Sequence, residues 1–259
     1  MRIPLYQVDA FSDKIFGGNA AAVCPLEAWL PDATMQAIAE ENNLSETAFF
    51  VRTGDAFDIR WFTPKIEIHL AGHPTLATAH VIFRHLVYNK NEIVFSSKSG
   101  ELRAGRSGDL IQLDFPAYDA KPVRSPKALI KGLKSKPVDV LLGRDYMAVF
   151  KSEADVLALE PDFAELAKLD CLGIIVTAPG DRSDFVSRFF APRAGILEDP
   201  VTGSAHTLLI PYWAKRLGKA VLHAYQVSKR RGEIFCEHRG GRVLIGGRAV
   251  TYLQGAIEV

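Results

Sequence analysis

The sequence predicts an α+β protein of two pseudo-symmetric halves, each a curled, mostly antiparallel sheet wrapped round one apolar helix. Three observations carry that expectation. A phrase recurs: Phe62-Thr63-Pro64 precedes AGHPTLATAH at 71–80, and Phe190-Ala191-Pro192 precedes EDPVTGSAH at 198–206. The landmarks Pro31, Pro64 and His80 return as Pro161, Pro192 and His206, at offsets of 130, 128 and 126. An ordered series with slowly drifting spacing marks an internal duplication. Next, each half holds an unusually apolar helical stretch, TLATAHVIFRHLV and TGSAHTLLIPYWAKRL, of the kind that is buried on every side. Finally, each stretch is followed by hairpin-rich β segments with Ser-Gly or Gly-Gly at the turns. This order favours α+β over a doubly wound sheet. The halves are placed at 1–115 and 116–259, with the last strand, 249–259, able to cross back to the first half.

The elements follow in order. Residues 2–9 read as a strand, and Gly-Gly-Asn at 17–19 turns the chain into a second apolar strand. Pro31 and Asp32 open a helix with apolar residues at 35, 38 and 39, which Asn42-Asn43 stops. ETAFFV at 46–51 is a strand. Phe57, Ile59 and Trp61 alternate with Asp58, Arg60 and Phe62, the period of a strand with one buried face. Ile66, Ile68 and Leu70 continue the alternation into Gly72-His73-Pro74, where the first apolar helix begins. In the second half Pro161-Asp162 opens a helix, LGIIVTA and DFVSRFFAP are strands, and the second apolar helix starts near Thr202.

Composition excludes several classes of function. At 259 residues the chain can bury two cores, and 48% hydrophobic with 24% charged residues is far from a disordered composition. Thirty-one basic and thirty acidic side chains give a net charge of +1, so no overall field draws the protein to nucleic acid or anionic lipid. The basic run 121–137 contains two interior prolines and no aromatic residue, and reads as a solvated connecting segment. Cys24, Cys171 and Cys236 are odd in number and widely spaced, which points to a reducing, cytoplasmic setting. Nothing resembles a signal peptide or the ~20 apolar residues of a membrane span. The expected partner is a small molecule.

The candidate site lies in the loops that open the two apolar helices. Ala71-Gly72-His73-Pro74-Thr75 and Val201-Thr202-Gly203-Ser204 are made of small residues, and a helix N-terminus offers unpaired N–H groups and the positive end of a dipole. Gly72 and Gly203 would let a carboxylate or enolate oxygen approach the backbone. Thr202 and Ser204 read equally well as plain helix caps. His73 in one loop faces no identical counterpart in the other, where Asp199 stands; the histidine suits proton transfer, with Asp199 a group that could orient it or keep it charged. Glu46, entering an apolar strand, has the setting that raises a carboxyl pKa towards neutrality, though Ser45 and Glu46 also suit a helix end facing water.

Other constellations are weaker. Ser204, His206 and Asp199 are the residue types of a hydrolytic triad without a Gly-x-Ser-x-Gly elbow. Glu67, His69, His73 and His80 lack His-Glu-x-x-His spacing, so no metal is expected. Walker and Gly-x-Gly-x-x-Gly patterns are missing, so no nucleotide cofactor is expected either. An arginine in Lys229-Arg230-Arg231 could meet a substrate carboxylate, though a loop or strand edge is the simpler reading.

GGNAAAV, MQAIAEENNLSETAFF, FTPKIEIHLAGHPTLATAH, RFFAPRAGILEDPVTGSAH and YWAKRLGKAVLHAYQVSKRRG together resemble the PhzF-like phenazine-biosynthesis family from the first strand to the C-terminus. The resemblance implies a diaminopimelate epimerase-like fold with the site between the halves. It also implies an isomerase without metal or organic cofactor; the best-known member moves a proton within trans-2,3-dihydro-3-hydroxyanthranilate. On that resemblance the catalytic residues fall on Glu46, His73 and Asp199, and Ser204 binds substrate with its neighbours Gly203 and Thr202 and with Gly72 and Pro74 of the opposite loop. Relatives often form homodimers. Two departures stand out. Ala71 occupies a position where members often have Cys, and no cysteine lies in either helix-start loop, which disfavours a two-thiol racemase. Arg231 stands where the family commonly has a second Gly. A protein that keeps the cleft for binding without catalysis is the alternative, and an intact Glu46, His73, Asp199 and Ser204 argues against it.

Overall fold

The computed structural model describes all 259 residues, Met1–Val259. Over residues 1–116 the elements are β1 (Arg2–Ala10), β2 (Asn19–Leu26), α1 (Asp32–Asn42), β3 (Glu46–Thr53), β4 (Ala56–Phe62), β5 (Glu67–Ile68), α2 (His73–His85), β6 (Glu92–Ser97), β7 (Gly100–Ser107) and β8 (Leu110–Pro116). Next come β9 (Lys121–Pro122), α3 (Lys127–Leu133), β10 (Asp139–Leu142), β11 (Tyr146–Val149), α4 (Glu153–Leu157), α5 (Phe163–Leu166), β12 (Ile174–Pro179), β13 (Phe185–Ala191), β14 (Ile196–Asp199) and α6 (Gly203–Leu217). The chain closes with β15 (Val221–Gln226), β16 (Gly232–Arg239), β17 (Arg242–Gly247) and β18 (Ala249–Glu258).

Two compact units result: Met1–Phe115 with Ile245–Val259, and Pro116–Leu244. The last strand thus crosses back to the first half, the alternative that the sequence left open for 249–259. Residues 245–259 belong to the first unit because β18 pairs antiparallel with β1 along its whole length, from Arg2 opposite Glu258 to Ala10 opposite Ala249. One register shift between Gln7 and Val8 interrupts that ladder.

In the first unit β18, β1 and β2 pair antiparallel, β2 and β3 parallel, β3 and β4 antiparallel, β4 and β6 parallel, and β6 with β7 antiparallel. The second unit repeats the succession. There β9, β10 and β11 pair antiparallel, β11 and β12 parallel, β12 and β13 antiparallel, β13 and β15 parallel, and β15 with β16 antiparallel. The helix starts, not the histidines, are the equivalent points of the two units. His80 is the eighth residue of α2 and His206 the fourth of α6.

Helix α2 buries almost its whole surface, packing against β1, β2, β3, β7 and β18. That explains a sequence without a polar stripe. Helix α6 is likewise buried through Ile210 and Trp213; the Trp213 ring stacks on Phe185 with centroids 5.7 Å apart, and its Nε1–H donates to Thr177 Oγ1 at 3.0 Å. On the first unit's sheet, α1 lays Met35, Ile38 and Ala39 against Cys24, Phe49 and Phe62. Asn43, left-handed at φ 48°, ends α1 and starts the turn that delivers Ser45 and Glu46 to the head of β3.

Three local expectations give way. The basic segment 121–137 is more than a connector: α3 buries Leu129 and Leu133 in the second core, while its lysines stay at the surface. The helix expected from Pro161 is the four-residue α5, capped by Asp162, whose carboxylate accepts from Glu165 N–H. Ile66 and Leu70 face solvent, and only Glu67–Ile68 pair in β5. The Thr63–Ile66 turn, closed by Thr63 N–H and Oγ1–H donating to Ile66 O, points that alternation outward. No helix is long and apolar enough to cross a membrane.

Candidate active site

In the first unit three element starts converge. Asn19 heads β2, Glu46 heads β3 and His73 heads α2; β2 and β3 run parallel, so their first residues lie at the same end. His73 Nε2 lies 3.0 Å from Glu46 Oε2, within hydrogen-bond reach but not aligned as a formed bond. Their side chains are only 6% and 12% exposed, which corrects the reading of Glu46 as a solvated helix end. On the other edge of the imidazole, Asn19 Nδ2 is 3.2 Å from His73 Nδ1, and Ser45 Oγ–H donates to Asn19 Oδ1 at 3.3 Å. A polar chain Ser45–Asn19–His73–Glu46 thus lies at the mouth of α2, buried at Asn19 and His73 and half-buried at its two ends. Gly72 precedes the helix and Pro74 lies in its first turn; no side chain caps it, so the positive end of the dipole is left for an anion.

The second unit presents a different set around the start of α6. Thr202 holds the N-cap position, yet its side chain caps nothing: Thr202 Oγ1–H donates to Asp199 Oδ2. Gln226, fully buried at the end of β15, fixes this loop from beneath. Its Oε1 accepts from Thr202 N–H at 2.9 Å, and its Nε2 donates to Asp199 O at 2.8 Å and to Thr202 Oγ1 at 3.2 Å. His206 Nδ1, one turn along, bonds Thr202 O at 2.9 Å. Gly203 is buried and Ser204 half-buried in the uncapped first turn. An oriented carboxylate, a hydroxyl and free helix N–H groups are what a polar, anionic ligand needs.

The remaining polar residues have structural occupations. His206 is fully buried, which lowers its pKa to about 4; its Nδ1 is taken by Thr202 O and its Nε2 bonds neither Ser204 nor Asp199, so the hydrolytic triad is not formed. Glu67 is gripped by Arg60 Nε–H and Nη2–H, both at 2.8 Å, and by Lys98 Nζ–H at 2.6 Å. The Arg60 bond leads in holding its carboxyl near 2. His80 bonds Thr251 Oγ1 at 3.0 Å, and burial lowers it to about 4. Burial pushes the Cys24 thiol up to about 12 and also raises Cys236, so neither is a thiolate at neutral pH. Arg231 is left-handed at φ 53°, with its guanidinium 4.5 Å over the Tyr225 ring. Asn19 and Gln226 lie inside the motifs GGNAAAV and HAYQVSKRRG but do not stand out there as site residues, because an amide carries no chemistry of its own and its partners lie 54 and 24 residues away.

Comparison with known proteins places this geometry. The model of the phenazine biosynthesis-like protein family matches residues 8–255. A Pseudomonas aeruginosa protein named as an uncharacterized isomerase is 50% identical over 259 residues, covering 100% of both chains. The crystal structure of a phenazine biosynthesis protein of the PhzF family from Enterococcus faecalis superposes with a TM-score of 0.98 at 48% identity, again over 100% of both chains. A Pseudomonas aeruginosa protein described as a predicted epimerase shares the fold at a TM-score of 0.75 and 23% identity, over 99% of each chain.

Proposed function

This chain belongs to the phenazine biosynthesis-like family, and we propose that it is an isomerase that moves a proton within a small carboxylated substrate, using Glu46 to take the proton and return it. The observation that carries the proposal is the nearly buried Glu46 carboxylate set against His73 at an uncapped helix start. A carboxylate oxygen takes a proton from an activated substrate carbon, and the C–H electron pair moves into the substrate's π system. Glu46 then gives the proton to a different carbon, so the substrate is rearranged with no atom gained or lost. His73 holds Glu46 in place. For the substrate's own carboxylate we propose Ser204 Oγ and the first-turn N–H groups of α6, with Asp199, held by Thr202, handling a polar proton of the ligand. The proposal has both sets act on one substrate in a cleft between the halves, and it needs neither metal nor organic cofactor.

The test is isotopic. Unsaturated and cyclic carboxylic acids are incubated with the enzyme in D2O, and mass spectrometry follows deuterium uptake and rearranged product. Uptake by the wild type and its loss in Glu46→Gln are expected. Uptake that survives Glu46→Gln, or none from a broad panel, would sink the reading.

A further inference from the structure

We infer that Asn19 sets His73 as a neutral imidazole whose single N–H sits on Nε2, the ring nitrogen 3.0 Å from Glu46 Oε2, so that His73 positions the carboxylate and carries no proton of its own during turnover. The inference rests on the reading of Glu46 as the acid/base and refines it.

An amide nitrogen can only donate. Asn19 Nδ2 stands 3.2 Å from His73 Nδ1, so that ring nitrogen must present its lone pair. A neutral imidazole then has its proton on Nε2, the nitrogen 3.0 Å from Glu46 Oε2. Doubly protonated imidazole would set an N–H against the Asn19 N–H2 and is expelled by the same contact. In this orientation of the amide Ser45 Oγ–H donates to Asn19 Oδ1 at 3.3 Å.

A competing arrangement has the amide reversed, with Asn19 Oδ1 accepting from Nδ1–H. The lone pair of Nε2 would then meet Glu46 Oε2 at 3.0 Å, two acceptors face to face unless Glu46 is protonated. An ionised Glu46, which a base requires, calls for a proton on Nε2 in either case; with the amide reversed only an imidazolium supplies it, whereas with Asn19 Nδ2 at Nδ1, as it stands here, the neutral Nε2–H form does. The amide and the carboxylate agree on one tautomer from opposite edges of the ring. Asn19 is in this sense a positioning residue: it acts on Glu46 through the imidazole.

Histidine-selective 15N labelling with long-range proton–nitrogen correlation at neutral pH reads the tautomer directly. His73 is assigned among the seven histidines by its loss in His73→Gln. The wild type is expected to show a pyridine-type Nδ1 and a pyrrole-type Nε2. In Asn19→Asp, a carboxylate replaces the donor at Nδ1 and both ring nitrogens are expected to become protonated. A wild-type Nδ1–H tautomer or an imidazolium overturns the inference, as does a His73 signal unchanged in a folded Asn19→Asp. The wild-type spectrum decides even if that variant does not fold. Failure here leaves Glu46-dependent deuterium uptake untouched, and loss of that uptake with the tautomer as expected removes only the functional reading.

Discussion

Thr202 stands at the N-cap of α6 but gives its hydroxyl proton to Asp199 rather than to its own helix. A cap is worth about 1 kcal/mol to a helix, and forgoing it here leaves the first-turn N–H groups open while it fixes a carboxylate beside them. Thr202→Val keeps the shape and removes the donor. A hydrogen bond to a charged group is worth about 1.5–3 kcal/mol. Turnover is expected to fall at least tenfold and the thermal midpoint by several degrees, and Thr202→Ser is expected to keep most of both. Steady-state kinetics beside thermal unfolding check both.

Gln226 has the larger structural role. Gln226→Leu leaves the Thr202 N–H and the Asp199 carbonyl without the bonds the amide makes to them, in a buried setting. Each costs about 1–3 kcal/mol, so destabilisation of about 3 kcal/mol is expected in urea unfolding. A loss under 1 kcal/mol would show that the loop repacks without it.

The SKRRG turn behind this loop offers a paired test. A Cβ on Gly232 would lie 2.3 Å from Val201 Cγ2, beside Thr202, so Gly232→Ala is expected to shift Val201 and lower both stability and turnover. Arg231 accepts a left-handed backbone at a cost of about 1 kcal/mol and recovers a similar amount by stacking on Tyr225. Arg231→Gly should thus stay within about 0.5 kcal/mol of wild type, while Arg231→Ala, which keeps the strain and loses the stack, should cost about 1 kcal/mol. Chemical denaturation of the three variants reads the order.

Acid sensitivity follows from His206. Burial lowers its pKa from 6.5 to about 4, so between those values the unfolded chain binds a proton that the folded one does not. Stability from this group is complete above pH 6.5 and is lost as pH falls towards 4. Between pH 6.5 and pH 5 the loss is about 2 kcal/mol. His206→Asn, whose amide can donate to Thr202 O in place of Nδ1–H, should flatten that slope. An unchanged slope in unfolding titrations would count against it.

Local signals that repeat a period were legible in the sequence. The alternation of β4, the unusually apolar α2 and α6, and the Asn43 stop all matched their elements because burial and helix ends are decided by near neighbours. What escaped was decided at a distance. β10 and β11 are four residues each, too short for a period, and α3 hides two buried leucines among lysines. Ile66 and Leu70 alternate correctly yet face solvent, since a turn, not the pattern, sets their direction. In the site, Glu46 and His73 could be singled out by residue type and position. Asn19 and Gln226 could not, because an amide acquires its role only from the side chains folded onto it.

The pairing of β1 with β18 also sets a timetable for synthesis. Residues 116–244 form a unit inserted within another, so the strand that covers β1 is made only after 144 further residues have followed Phe115. At about 5–20 residues per second the ribosome holds that sheet edge open for on the order of ten seconds. In that interval the second unit is fully translated and can fold, so the unit begun first is the one completed last. Emergence of β18, rather than of the first core, is the event that closes the ladder, and until then β1 is the segment a chaperone would find uncovered.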